Sequence, residues 1–134
     1  MKKDIIRYKV EGVRMAIARK KSGKEDFNWH VYIINDNDFS LNYVLITSKG
    51  YGKMNGKEKK TSVLRQMFDQ VEPQSYQVVE PIKPELFSLC NEFWVSYYLG
   101  RDIYDKKFVF LPEAMNDEYL THIDKIGLEG ILHS

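Results

Sequence analysis

The amino-acid sequence predicts an α+β domain: a largely antiparallel sheet of five or six strands, one helix over about 62–71 packed on one face, and room for a second helix near the C-terminus. Three observations carry this expectation. Apolar and polar residues alternate along several segments separated by Gly, Asn and Asp, the pattern of half-buried strands joined by tight turns. Over 62–71 the period changes to that of a helical stripe. Nine tyrosines and seven phenylalanines favour strands as the main element.

The elements follow in chain order. In "VRMAIARKK", Val13, Met15 and Ile17 share one face, and Ser22-Gly23 turns the chain. In "FNWHVYII", Phe27, Trp29, Val31 and Ile33 share a face, with His30 on the other, exposed side; "NDND", Asn35 to Asp38, makes the next turn. "LNYVLITS" is apolar on both faces, and the three segments together predict an antiparallel meander. In "SVLRQMFDQV", Val63, Leu64, Met67, Phe68 and Val71 form a helical stripe, with Ser62 as N-cap and Pro73 just beyond the end. "SYQVVE" lies among prolines and suits a short edge strand. "NEFWVSYYLG" and "KKFVFLP" form a second hairpin about Gly100-Arg101-Asp102, and the first of its strands is apolar on both faces. Such a strand is covered by a helix, for which 62–71 is the simplest candidate, or lies at a subunit interface. "PEAMNDEYLTHIDKIG" has helix-like spacing from Pro112 to Gly127, although a loop tail packing the same residues fits as well.

A chain of 134 residues fits one domain, 1–134, able to bury roughly two-thirds of its unfolded surface without metals or disulfides. Cys90 is the only cysteine, which excludes an intrachain disulfide and a zinc site made of cysteines. The N-terminal "MKKDIIRYKVEG" meets charges before any apolar run develops, unlike a signal peptide. No segment approaches the roughly 18 apolar residues that a membrane helix needs. A reducing cytoplasm is the expected compartment. Charge is uneven: residues 1–67 hold 15 Lys/Arg against 7 Asp/Glu, whereas 68–134 hold 5 against 12.

The stretch "SKGYGKMNGKEKKTS" has the look of a phosphate loop, but its spacing excludes one. Gly50 and Gly56-Lys57 stand one residue too far apart, and Glu58 occupies the hydroxyl position. Two arrangements remain. Lys59 and Lys60 flank the start of the Ser62 helix and draw an anion there, or Asn55-Gly56 makes a type I′ turn at the tip of an exposed lysine ribbon. Tyr51, Lys53, Lys57, Lys59 and Lys60 are therefore the candidate anion- or nucleic-acid-binding residues. Phe93, Trp94, Tyr97 and Tyr98, within the hairpin 92–111, are the candidate interface for a protein partner or a second copy.

Catalytic and metal constellations are thin. Glu118 and His122 are four apart, but two ligands make no site. The calcium-like "DND" at Asp36–Asp38 has Leu41 and Thr47 where glycine and glutamate are required. Cys90 has no base near it in sequence and suits a small buried residue. No nucleophile elbow or dinucleotide fingerprint occurs. The expectation is thus a non-enzymatic binding or interaction module, homodimeric through its aromatic hairpin, with no cofactor, no metal and no membrane partner. The alternative is a nucleic-acid or phosphate binder using the loop 49–62.

Overall fold

A computed structural model describes residues 8–134. The basic N-terminal segment lies outside them through Arg7. The architecture is all-β. Ten strands are present among the described residues: β1 (Val13–Ser22), β2 (Asp26–Asn35), β3 (Leu41–Met54), β4 (Lys57–Lys60), β5 (Leu64–Val71), β6 (Ser75–Pro81), β7 (Cys90–Leu99), β8 (Asp102–Phe110), β9 (Thr121–Ile123) and β10 (Leu128–His133). They form two antiparallel sheets, ordered β6-β2-β1-β10-β9 and β4-β3-β7-β8, with β5 also paired to β3. The inward residues of both sheets make one core, including Met15, Ile17, Val31, Ile33, Val44, Ile46, Phe93, Tyr97, Phe108 and Phe110.

The expected α+β class is overturned. Among the described residues no helix packs on either sheet, and the helical pieces are three short 3₁₀ turns at Pro84–Ser88, Pro112–Ala114 and Asp117–Tyr119. Residues 64–71 are strand β5, paired along β3 from Leu41↔Val71 to Ser48↔Leu64. The reason lies in Tyr43, whose φ of +50° kinks β3. Beyond that bulge Val44 and Ile46 point inward, and before it Leu41 does, so the inward set skips three residues instead of two. β5 copies the step, burying Val71 and half-burying Phe68. A three-residue step in a kinked strand has the same spacing as a helical stripe.

The expected C-terminal helix is likewise replaced by the last two 3₁₀ turns and the β9–β10 hairpin. The three-stranded meander is corrected too. β1 and β2 pair over their full length, but β3 belongs to the other sheet. Asn35 fixes this crossover. It is fully buried, and its amide Nδ2 donates to the carbonyls of Phe39 (2.8 Å), Val71 (3.2 Å) and Glu72 (3.0 Å) while its Oδ1 accepts from the Asn37 N–H (3.0 Å). One side chain thus ties the end of β2 to the crossover and to the β5–β6 turn.

A second, smaller cluster lies on the outside of the first sheet, where Ala16, Ala18, Tyr32, Ile34 and Ile123 meet Ile126 and Leu132. Small side chains let the β9–β10 hairpin lie close here. A Cβ on Gly130 would stand 2.6 Å from the Ile17 carbonyl oxygen and 2.7 Å from the Ala18 Cβ. Lys125, on the hairpin's turn, reaches Gln74 Oε1 (2.7 Å) and Asp36 (3.7 Å), and Asp36 also holds Arg14 Nε at 2.6 Å.

Candidate functional site

Where the two sheets separate at one end of the sandwich, a cleft of about 570 Å³ opens between β2, β3, β6, β7 and the link after β4. Trp29, Ile82, Leu86 and Phe93 supply apolar walls, and Lys49, Lys83 and His30 stand around them. Trp29 is held edge-on by Phe87 at 5.0 Å, and its carbonyl accepts from the Ile82 N–H at 3.0 Å. Thr61 closes the join between β4 and β5. Its N–H donates to the Gly50 carbonyl (2.9 Å), and its hydroxyl accepts from the Gly50 N–H (2.6 Å). Gly50 keeps this seat open, since a Cβ there would meet Thr61 Cγ2 at 3.0 Å.

The polar centre of the cleft is Glu80, whose Oε1 accepts a hydrogen bond from the Ser48 hydroxyl at 2.8 Å. Burial pushes its carboxyl above the ordinary carboxylate range, and the Ser48 bond pulls it only partly back. The sequence did not single out Glu80, because beside Pro81 at a strand end it resembles a solvated residue. A register shift exposes the cause. Val31 pairs with Glu80 and Tyr32 with Val78, so Val79 bulges and both Val79 and Glu80 turn inward.

A group whose folded-state pKa is raised stabilises the fold fully below its unfolded pKa, and that stability is lost as pH rises through the folded value. Ionised Glu80 therefore weakens the protein at neutral pH. Glu80→Gln keeps the Ser48 acceptor and is expected to raise the melting temperature at pH 7. Below about pH 4, near the unfolded carboxyl value, the gain should vanish. Melting curves from pH 3.5 to 7.5 check this; a variant less stable than wild type at pH 7 would contradict it.

The lysine stretch forms a hairpin rather than a helix approach. Asn55 and Gly56 have φ of +55° and +76°, both positive as a type I′ turn requires. Tyr51 pairs with Lys60 and Lys53 with Glu58, on the sheet's outer side, while Lys59 pairs with Gly52 and Lys57 with Met54 on the alternate side. The five candidates thus divide between two faces of one ribbon. The aromatic hairpin divides similarly. Phe93 and Tyr97 are 2% and 1% exposed in the core, leaving Trp94 and Tyr98 at the surface. Tyr97 stacks on Tyr104 at 5.3 Å and 5°, and burial pushes its phenol up to about 12. Cys90 is half-buried, opposite Tyr51.

Among the described residues, no group of three or more His, Cys, Asp or Glu stands close enough to hold a metal, and no helix is long and apolar enough to cross a membrane. Comparisons with protein-family models, with curated proteins and with solved structures find no match.

Proposed function

We propose that the protein is a non-enzymatic binding module whose intersheet cleft takes a small, partly apolar molecule carrying an amine or another strong hydrogen-bond donor. The observation that carries this reading is Glu80, an acid seated among apolar walls with Ser48 orienting one of its oxygens. A cleft of about 570 Å³ falls in the range of about 300–1,000 Å³ common to small-molecule sites, where a few placed polar groups set orientation. A reducing cytoplasm is the proposed setting, consistent with a chain that carries one thiol, Cys90.

The tryptophans make the test direct, because Trp29 lines the cleft and Trp94 does not. In a Trp94→Phe variant the remaining indole is the one that lines the cleft. Titration with benzylamine and phenethylamine should give saturable quenching or a spectral shift, whereas benzoate and phenylacetate should give none. Glu80→Gln should weaken amine binding about tenfold, the loss of one charge-assisted hydrogen bond. Equal binding of amines and acids, or none by either, would remove the reading.

A further inference from the structure

We infer that the ligand of the cleft is a linear alkylamine, with its ammonium group at Glu80 and its chain running past Trp29 into a second cavity. This rests on the amine reading of the cleft and adds the shape of the molecule. The second cavity, of about 160 Å³, is lined by Trp29, Pro84, Phe87, Met115, Leu120 and Ile131. Its two polar neighbours, Asn116 and Asp117, are exposed at the surface, which leaves the inner walls apolar. Trp29 and Pro84 line the cleft as well, so they form a wall common to both spaces.

The strand ladders set the direction and the distance. Glu80 pairs with Val31, Val31 with Ile17, and Ile17 with Ile131. Cross-strand partners point to the same side of a sheet, so these four make one inward row across β6, β2, β1 and β10. Glu80 stands in the cleft at one end of the row, and Ile131 lines the second cavity at the other. Three strand spacings separate them, about 14 Å. Trp29 lies in the adjoining row, on the same face as Val31. A ligand that puts its charge on Glu80 and continues across the inner face of the sheet meets the indole first and the second cavity next.

A compact amine such as benzylamine fills the cleft alone. Beyond the indole the walls suit methylene groups, which need no polar partner and gain by leaving water. An apolar space beside a packed core forfeits contacts until something fills it. The wall can yield, because ring contacts position the Trp29 indole: it stands edge-on to Phe87 at 5.0 Å and beneath the Arg19 guanidinium at 5.8 Å. Such contacts weaken gradually as a ring tilts.

Fluorescence titration of the Trp94→Phe protein with butylamine, hexylamine, octylamine and decylamine tests this, with benzylamine as the compact reference. Affinity should rise about threefold to fourfold per added methylene as far as decylamine. Leu120→Phe and Met115→Phe each put a ring into the second cavity. Either should weaken decylamine at least about tenfold, the loss of two or more buried methylenes, while benzylamine and butylamine bind as before. Leu120→Ala enlarges the same cavity and should tighten dodecylamine relative to decylamine. An affinity that levels off at butylamine, or a decylamine affinity that neither Phe variant lowers, overturns the inference and leaves the amine reading standing. Failure of every amine to bind, benzylamine included, removes the amine reading and this inference together.

Discussion

Asn35→Asp is expected to cost more than about 3 kcal/mol at pH 7, although it exchanges only an amide for a carboxylate of the same shape. The amide donates to three carbonyl oxygens, those of Phe39, Val71 and Glu72, at a fully buried site. A carboxylate puts negative charge against all three and can donate nothing. Burial and those oxygens hold the new carboxyl's pKa high in the folded state, so the stability present at low pH is lost as pH rises through that value. Urea denaturation should therefore show the gap from wild type narrowing between pH 7 and pH 4, as the protonated acid regains one donor. Asn35→Ala, which leaves carbonyls unpaired without adding charge, should cost less, about 1–3 kcal/mol. An Asp variant equal to wild type at pH 7 would show that the amide is not the tie between the two sheets.

Gly130→Val should be comparably damaging, at about 3 kcal/mol or more, through sterics alone. Three of the atoms its Cβ would meet belong to Ile17 and Ala18, at 2.6–2.7 Å, and two of them are backbone. A backbone in the middle of a paired strand cannot move aside, so the β9–β10 hairpin must lift from Ala16 and Ala18. Gly127→Ala is the control. Nothing lies within 4 Å of that position, and only its φ of +69° is strained, worth about 1 kcal/mol. Thermal melts rank the two, and hydrogen exchange at Thr121–Ile123 should speed up in the Gly130 variant well before the β7–β8 amides are affected.

Four strands were legible in the sequence, β1 and β2 through their alternation and β7 and β8 through the apolar and aromatic runs on either side of Gly100, and the Asn55-Gly56 turn is written in two residues. Local pattern failed wherever a bulge intervened. At Tyr43 a kink turned the period of β5 from that of a strand into that of a helix, and at Val79 a bulge carried Glu80 into the cleft. The partition into two sheets was beyond any local reading, because it depends on whether β2 pairs with β3 or with β6. That choice rests on Asn35, whose place in "NDND" shows a turn but not the three distant carbonyls it holds. The cleft itself joins residues from Phe27 to Phe93, so no window of sequence contains it.

The pairing of β1 with β10, from Met15↔His133 to Arg19↔Glu129, has a bearing on how the chain is made. A ribosome releases β1 before the strands that flank it, and the neighbour that completes its far edge is encoded more than a hundred residues later. Throughout that interval the nascent sheet has an open side beside β1, whose Met15, Ala16, Ile17 and Ala18 are fully buried in the finished fold. Pairing over such a span of chain slows folding, since distant segments must meet before the contact repays their ordering. Synthesis and assembly of this sandwich are thereby coupled: β1, made before the other described strands, is among the last to be enclosed.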